Sequence, residues 1–263
     1  MHSGLIPLYW RRRLAISWHN LRSRPTARVR VRRAGPLVQL QIGDEGIGIT
    51  AIGRWKRYRG GISARLEAVA GRYGTVALAK DIAGGTVIDI GANIGELSLY
   101  CDRLGCQVFA VEPDPVNFLA VQENARGTGI RPFQLAFWHE EAELTFYSAV
   151  ARADSSLIEP EAYERAFPVQ ATTLDRFAAE QGIGAVVFIK ADAEGAEPEV
   201  LRGATQTLGR TRWICLDCGP ERKGEKTFVE CAAILEGLGF ATRALDSRGN
   251  MLFGENRRLG AGD

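Results

Sequence analysis

The sequence lacks any apolar run long enough to cross a bilayer, although 46% of its 263 residues are hydrophobic. The arginine triplet at residues 11–13 follows the short apolar stretch at residues 5–8, whereas a secretory signal has its basic residues first. We therefore predict a protein without a membrane span or a signal, which works in the cytoplasm and buries one substantial core.

Cysteine is scarce, and its spacing shows no framework of disulfides. The five cysteines are Cys101, Cys106, Cys215, Cys218 and Cys231, an odd number. Cys215 and Cys218 have the spacing of a redox or zinc pair, but no second pair accompanies them and they lie on a predicted core strand. The sequence therefore disfavours a zinc or redox site, and we assign no metal ligand.

Acidic residues are absent before Asp44, so the N-terminal segment is a basic arm. Its arginines are Arg11, Arg12, Arg13, Arg22, Arg24, Arg28, Arg30, Arg32 and Arg33. Four apolar residues recur among them at helical spacing: Trp10, Leu14, Trp18 and Leu21. This pattern fits a helix at an anionic membrane surface, and we predict a peripheral membrane contact. Two alternatives stay open: the arm binds nucleic acid, or its indoles pack on the rest of the protein.

The most informative motif is a short apolar strand that ends in an acid and runs into two glycines, at residues 87–95 (V-I-D-I-G-A-N-I-G). It is typical of a buried parallel strand that turns tightly into a helix around a nucleoside-containing ligand, because glycine permits a close approach that a side chain would block. The predicted cofactor-binding residues of this turn are Asp89, Gly91, Ala92, Asn93 and Gly95. Asp89 could instead cap the turn.

One glycine is missing from this turn, and its absence bears on the cofactor. A dinucleotide site has the pattern G-x-G-x-x-G, whose middle glycine lets the backbone approach a pyrophosphate, and Asn93 stands at that position. S-adenosyl-L-methionine has no phosphate, and its carboxylate can still bind at the helix N-terminus. We therefore predict S-adenosyl-L-methionine as the cofactor, with an NAD(P)-dependent oxidoreductase as the first alternative.

The next predicted strand, at residues 107–112, ends in Glu112. A carboxylate at the tip of the second strand is placed to accept hydrogen bonds from both ribose hydroxyls, so Glu112 is the predicted ribose ligand. We add Pro113, which follows it, and Ala136, near the end of the third predicted strand, to the predicted cofactor-binding residues.

A second cluster of polar residues, at residues 188–197 (F-I-K-A-D-A-E-G-A-E), follows a later strand. Ligands of open parallel sheets bind at the carboxyl edge, so we predict the reaction chemistry here. Asp192 is the leading candidate for a general base, Glu194 is the second and His139 the third. Asp192 could instead cap the next helix. A divalent ion held by Asp192 with Asp217 or Glu194 is another alternative.

Strands and helices alternate along most of the chain, which predicts a doubly wound α/β fold with a mostly parallel sheet. The predicted core strands are 87–90, 107–112, 132–137, 185–189 and 213–216. The predicted helices are 62–73, 96–104, 115–125, 196–208 and 227–238. We assign residues 81–263 to this main domain and residues 1–80 to the basic arm and a small N-terminal extension.

Two hairpins and one insert complete the predicted organisation. Residues 28–32 and 38–42 form an N-terminal hairpin, and residues 240–245 and 250–253 form an antiparallel pair that closes the chain. Residues 151–167 form an irregular insert that we predict to be a lid.

These motifs together resemble the FkbM family of methyltransferases. The resemblance rests on the following segments: residues 87–95, V-E-P at 111–113, T-T-L-D at 172–175, and the K-x-D-x-E-G-x-E block at 190–197 that leads into 200–204. It implies a class I, Rossmann-like fold that uses S-adenosylmethionine and, commonly, methylates a hydroxyl on a sugar, glycolipid or polyketide-like metabolite. The expected partner is therefore a small-molecule, glycan or glycolipid acceptor. Asp217 departs from the family, which often has glutamate there.

A nucleic-acid methyltransferase is a further alternative, because the arm is basic. Amino-group methylation of bases usually accompanies an Asn/Asp-Pro-Pro-aromatic tetrapeptide, and the sequence contains none. Nucleic acid is therefore a disfavoured partner. The last alternative is a non-enzymatic adaptor, which the intact site carboxylates disfavour.

Overall fold

The computed structural model describes residues 8–22, 28–148, 156–159 and 163–259. The described residues begin with a helix and a three-stranded antiparallel meander: α1 (Leu8–Arg22), β1 (Val29–Ala34), β2 (Leu37–Ile42) and β3 (Glu45–Ile49). The predicted N-terminal hairpin is confirmed, since Val29 faces Ile42 across β1 and β2. The sequence pattern does not predict β3, in which Gly46 and Gly48 interrupt the apolar residues.

The rest of the described chain alternates helices with strands. After a 3₁₀ helix (Ile52–Tyr58), the helices are α2 (Ile62–Arg72), α3 (Ala79–Ile82), α4 (Glu96–Arg103), α5 (Pro115–Asn124), α6 (Leu174–Glu180), α7 (Glu197–Arg202), α8 (Thr205–Gly209) and α9 (Phe228–Gly237). The strands are β4 (Thr86–Ile90), β5 (Gln107–Val111), β6 (Arg131–Phe133), β7 (Ala136–Phe137), β8 (Ala142–Ser148), β9 (Arg165–Thr172), β10 (Val186–Ala191), β11 (Thr211–Asp217), β12 (Phe240–Ala244) and β13 (Met251–Asn256). The pattern does not predict the 3₁₀ helix, α3 or α6, because such short segments show no clear period.

A seven-stranded sheet in the order β12-β13-β11-β10-β4-β5-β6 forms the centre of the molecule. β4 pairs in parallel with β10 and β5, and β10 pairs in parallel with β11. β13 runs antiparallel to both of its neighbours. The predicted doubly wound α/β fold, with a mostly parallel sheet and a C-terminal antiparallel hairpin, is therefore confirmed.

The central strand β4 is buried on both faces, as its apolar sequence requires. Val87 packs with Val108 on one side of the sheet, and Ile88 packs with Phe109 on the other. The carboxyl ends of β4, β5 and β10 consequently meet at one edge, where open parallel sheets bind their ligands.

The predicted strand at residues 132–137 is wrong as a single element. The chain leaves the central sheet after Phe133, and Ala136 and Phe137 pair instead with β9 in a second sheet of order β7-β9-β8. Apolar content indicates that a segment is buried, but it does not say which strand will be its partner.

The predicted helix at residues 196–208 divides into α7 and α8. A Cβ added at Gly203, between them, would lie 2.2 Å from the carbonyl oxygen of Trp138, so the backbones touch there. The carboxylate of Asp175 accepts the N–H groups of Gln206 and Thr207 at the start of α8. The apolar spacing predicts one continuous helix, but the backbone contact at Gly203 and the cap by Asp175 divide it into two.

The predicted lid lies only in part within the described residues, since residues 149–155 and 160–162 fall outside them. Ser156 pairs with Tyr147, and its hydroxyl donates a 2.6 Å hydrogen bond to the carbonyl oxygen of Glu194. The described part of the insert is thus fastened to the loop after β10, and its role as a lid stays a prediction.

The N-terminal extension shares a core with the main domain. Leu40 and Ile49 belong to the same buried cluster as Ala120 of α5. The side chain of Asn124 also accepts the N–H of Gly48 and donates to its carbonyl oxygen, at 2.6 and 3.0 Å. The division at residue 80 stays a prediction, but the two parts are packed together.

Within the described residues, no helix has both the length and the apolar content that crossing a bilayer requires. All five cysteines are buried and free of disulfides.

Candidate active site

Two adjoining clefts open at the carboxyl edge of the central sheet. The apolar cleft is lined by Glu112 and mainly by apolar side chains: Ile90, Val111, Pro113, Leu135, Ala136, Phe137, Phe146, Leu157 and Val200. The polar cleft is lined mainly by polar and charged side chains: Arg57, Arg65, Arg72, Tyr73, Asp89, Glu96, Lys190, Asp217 and Glu221. Both clefts share Gly91, Asn93, Asp192 and Glu194. Their volumes are about 960 and 1030 Å³, open space at the mouths included.

The two glycines of the turn after β4 serve different purposes. Gly91 has a φ of 68°, and a Cβ there would lie 2.0 Å from the carbonyl oxygen of Asp192. Gly95 also has a positive φ, of 83°, but the nearest atom to an added Cβ is a methyl of Val121 at 3.8 Å. Gly91 is therefore required by the contact between β4 and the end of β10, and Gly95 by its backbone angle alone. Gly95 lines neither cleft.

Asn93 adopts a φ of 57°, which asparagine tolerates better than most side chains. Its N–H donates to Oε2 of Glu112 at 2.7 Å, and its Oδ1 accepts from Nη1 of Arg54 at 2.7 Å. The backbone donor that a dinucleotide site directs at phosphate is thus engaged by a carboxylate.

Glu112 is 4% exposed at the end of β5. It accepts two backbone hydrogen bonds, from Asn93 at 2.7 Å and from Asp114 at 2.9 Å. Burial raises the pKa of Glu112 to about 8, and the two N–H donors work against that rise. The carboxylate is held in one orientation and borders the apolar cleft.

The other predicted cofactor-binding residues are placed as follows. Ala92 is buried, and its N–H donates to the carbonyl oxygen of Val111 at 3.0 Å. Pro113 and Ala136 both line the apolar cleft. Asp114, which no sequence motif indicates, caps α5 and accepts from the hydroxyl of Ser148 at 2.6 Å.

Asp89 is fully buried at the base of the polar cleft. Its Oδ2 accepts from the hydroxyl of Ser98 at 2.6 Å, and its Oδ1 lies 3.3 Å from Nζ of Lys190. That contact is an ion pair without hydrogen-bond geometry, so Oδ1 has no hydrogen-bond partner among the described residues. This oxygen can accept a further hydrogen bond.

Lys190, the first residue of the K-x-D-x-E-G-x-E block, fastens the glycine turn. Its Nζ donates to the carbonyl oxygens of Ile90 and Gly91, at 2.8 and 2.5 Å. Burial works to lower the pKa of Lys190, but the carboxylates of Asp89 and Asp192 outweigh it and the net pKa is raised. The lysine therefore stays charged and joins β10 to the end of β4.

Asp192 lies where the two clefts meet. The hydroxyl of Tyr73, at the end of α2, donates to its Oδ2 at 2.7 Å. Burial and the charge of Asp192 raise the pKa of Tyr73 well above its usual value, so the phenol remains a donor. Asp192 is thus oriented by a side chain from the N-terminal extension.

Two further acids stand beside Asp192 in the polar cleft. Burial and the neighbouring Asp192 raise the pKa of Asp217, although the pairing with Arg72 lowers it. Burial raises the pKa of Glu221 to about 9, with the charge of Asp217 adding to the effect. Oε2 of Glu221 is buried and lacks a hydrogen-bond partner within the described chain.

Glu194 and Glu197 have different surroundings. Glu194 has a φ of 50° and borders both clefts. Glu197 is fully buried, and its Oε1 accepts from the N–H groups of Ala193 and Gly195 at 2.9 and 3.2 Å. Glu197 therefore holds the loop that carries Glu194.

His139 is the one predicted catalytic residue that the structure does not bring to the clefts. It lines neither, and its ring lies 3.5 Å from Glu140 on the surface. Within the described residues, no three His, Cys, Asp or Glu side chains are grouped so that they could hold a metal ion.

No sequence motif indicates Arg54, Arg72 or Tyr73 as residues of the site. All three come from the N-terminal extension, and Tyr73 is 119 residues from the acid that it contacts. The segment carries no motif, and only the packing of the 3₁₀ helix and α2 against the main domain brings these side chains to the site.

The chain matches a known family and several known proteins. The model of the Methyltransferase FkbM domain family matches residues 89–242, more than half of the chain. The chain is similar to Methyltransferase 1 of Beauveria bassiana (strain ARSEF 2860), at 28% identity over 186 residues, which cover 59% of this chain and 72% of that one. It is also similar to 2-O-methyltransferase NoeI of Sinorhizobium fredii (strain NBRC 101917 / NGR234), at 26% identity over 147 residues, which cover 49% of this chain and 60% of the relative's length.

Among solved structures, magnesium protoporphyrin IX methyltransferase of Synechocystis PCC 6803 with bound SAM aligns with a TM-score of 0.41 and 16% identity. The alignment covers 78% of this chain and 90% of that chain.

Proposed function

The chain belongs to the FkbM methyltransferase family, and from that premise we propose that it transfers a methyl group from S-adenosylmethionine to a hydroxyl of a sugar, glycolipid or polyketide-like acceptor. The observation that carries the proposal is the meeting of the two clefts at Asp192. One cleft suits an adenosine group, the other suits a hydroxyl-rich molecule, and a carboxylate lies where they join.

The donors and acceptors of the site fit S-adenosylmethionine. Glu112 offers a fixed carboxylate to ribose hydroxyls, and Leu135 and Phe137 offer an apolar wall to adenine. Asp89, at the base of the polar cleft, offers negative charge that suits an ammonium group. When bound, this cofactor supplies a methyl group that its positive sulfur has already activated. Since Glu112 engages the N–H of Asn93, a pyrophosphate is disfavoured.

The polar cleft suits an acceptor with several hydroxyls. Its walls mix arginines with carboxyl groups, and Glu221 is one of these acids. Hydroxyl groups donate and accept hydrogen bonds, so they can match both kinds of side chain. The similarity to NoeI, a 2-O-methyltransferase, supports oxygen as the methylated atom.

Asp192 is the proposed general base. An alcohol is a weak nucleophile until its proton leaves, and a carboxylate at the junction of the clefts can accept that proton. Tyr73 holds the carboxylate in one orientation through its 2.7 Å hydrogen bond. Glu194 borders both clefts, and the hydroxyl of Ser156 donates to its carbonyl oxygen at 2.6 Å.

The test is transfer of labelled methyl groups from S-adenosylmethionine to sugar, glycolipid and polyketide alcohols, followed by the variants Asp192→Asn and Asp44→Asn. We expect Asp192→Asn to lower kcat about a hundredfold or more, because the acceptor keeps its proton. Its affinity for the donor, measured by calorimetry, should change less than about twofold. Asp44 is exposed in a turn and borders neither cleft, so Asp44→Asn should match the wild type.

Three results would contradict the proposal. Full turnover by Asp192→Asn would exclude its role as a base, and tight binding of NAD without binding of S-adenosylmethionine would exclude the donor. Label found on nitrogen or carbon of the product would exclude O-methylation.

A further inference from the structure

Helix α1 is fixed to the protein along one face. Ile16 is 4% exposed and belongs to the core that β2 and β3 build. The side chain of Asn20 exchanges two 2.8 Å hydrogen bonds with the backbone of Val29, and the ring of His19 lies 5.4 Å from that of Trp55. The helix is therefore held in a defined orientation, and this orientation decides which residues lie on the face that points away from the core.

That other face carries an apolar stripe, formed by Trp10, Leu14, Trp18 and Leu21. Their exposed fractions are 54%, 59%, 59% and 84%. The four residues recur at intervals of three and four, so they share one side of the helix, opposite Ile16. The described structure exposes eight large hydrophobic residues, and half of them lie in this stripe. Exposed apolar residues concentrated in this way mark an interaction surface.

Arginines border the apolar stripe on both sides. The guanidinium of Arg22 lies 3.7 Å from the ring centre of Trp18, and that of Arg13 lies 5.6 Å from the ring centre of Trp10. α1 contains no acidic residue. On the adjoining strand β1, Arg33 lies 5.7 Å from the ring centre of Tyr9. The surface is thus apolar at its centre and positive at its edges.

We propose that α1 docks the protein on an anionic lipid surface, with the apolar stripe entering the boundary between headgroups and acyl chains. Indoles favour that boundary, leucines favour the acyl region, and arginines at the edges pair with lipid phosphates. Nucleic acid would use the arginines but would leave Leu14 and Leu21 exposed to water. The occupant that matches both the charge and the apolar stripe is a membrane.

The test is co-sedimentation of the whole protein with vesicles of phosphatidylcholine alone and of phosphatidylcholine with phosphatidylglycerol. We expect binding to the anionic vesicles, with at least tenfold weaker partitioning for the double variant Trp10→Ala/Trp18→Ala. Arg13→Gln should weaken partitioning about fivefold. The matched control is Val229→Ala, because Val229 is 80% exposed on α9, and it should bind as the wild type does.

Binding to vesicles requires no methyl transfer, so the result of the co-sedimentation experiment is independent of the proposed enzymatic activity. Circular dichroism of each variant checks the fold, which substitutions on an exposed face should leave intact. The proposal is overturned if the protein does not co-sediment with anionic vesicles but binds an oligonucleotide through its arginines. It is equally overturned if light scattering shows self-association that Trp10→Ala/Trp18→Ala abolishes, since a second copy would then cover the stripe.

Discussion

Glu112 shows at the scale of one residue how burial changes the chemistry of a predicted ligand. Its position at the end of an apolar strand predicts that it binds the ligand, because parallel strands present their last residue at the edge of the sheet where ligands bind. Its ionisation could not be predicted, since burial and the two backbone donors come from the folded chain. Tyr73 could not be predicted at all, because a tyrosine at the end of a helix carries no signal of the acid that it meets.

Donor affinity should depend on pH through Glu112. Ribose hydroxyls donate to the ionised carboxylate, so affinity should be full above the pKa of about 8 and should fall as the pH drops below it. Calorimetry with S-adenosylmethionine between about pH 6 and pH 9 measures this. Glu112→Gln should bind the donor more weakly and remove that pH dependence, and an unchanged profile in this variant would show that another group is responsible.

At the scale of elements, the turn after β4 is held by contacts from β10. Lys190 bonds the carbonyl oxygens of Ile90 and Gly91, and the backbone of Asp192 passes directly against Gly91. Both motifs are visible in the sequence, 100 residues apart, as an apolar strand with glycines and a polar block. That they form one structural unit could be decided only by the pairing of the two strands.

Gly91→Ala should lower the free energy of unfolding far more than Gly84→Ala. The two glycines have similar φ values, 68° and 72°, but an added Cβ meets the Asp192 oxygen at 2.0 Å in one case and nothing within 4 Å in the other. We expect about 1–2 kcal/mol for Gly84→Ala from the backbone angle alone, and a clearly larger loss for Gly91→Ala. Urea unfolding measures both, and equal losses would show that the turn relaxes around the methyl group.

The buried pair of Lys190 and Asp89 should show strong coupling in a double-mutant cycle. Lys190→Met leaves the Asp89 carboxylate buried without its cation, which costs about 3–5 kcal/mol of unfolding free energy. The double variant Lys190→Met/Asp89→Asn removes both charges and should recover part of that loss. Additive losses in the cycle would mean that the two charges act independently.

At the scale of the whole molecule, several carboxyl groups are buried in and around the site. Burial raises the pKa values of Glu112, Glu197 and Glu221 to about 8, 7 and 9, from an ordinary 4.5. Between about pH 5 and about pH 9 the folded chain therefore binds more protons than the unfolded chain. These buried acids therefore lower the stability of the folded protein at high pH.

The free energy of unfolding should consequently fall as the pH rises from about 5 to about 9. The sign follows from the raised pKa values: the favourable protonation of the folded state is fully present below the unfolded pKa and is lost as each group ionises. Urea unfolding at several pH values measures the slope, and Glu112→Gln should reduce it. A stability that rises across this range would contradict the assignment of these groups as buried acids.

The sequence by itself determined the α/β fold, the FkbM family and the strand-end positions of Glu112 and Asp192. It could do so because apolar runs, glycine turns and terminal acids are local patterns with local causes. The tertiary structure alone decided which backbones touch, that Gly203 divides a helix, and that Tyr73 orients Asp192. It also decided that α1 presents its tryptophans outward, because the burial of Ile16 fixes the opposite face. Such contacts join residues far apart in the chain, and no local pattern encodes which distant surfaces will meet.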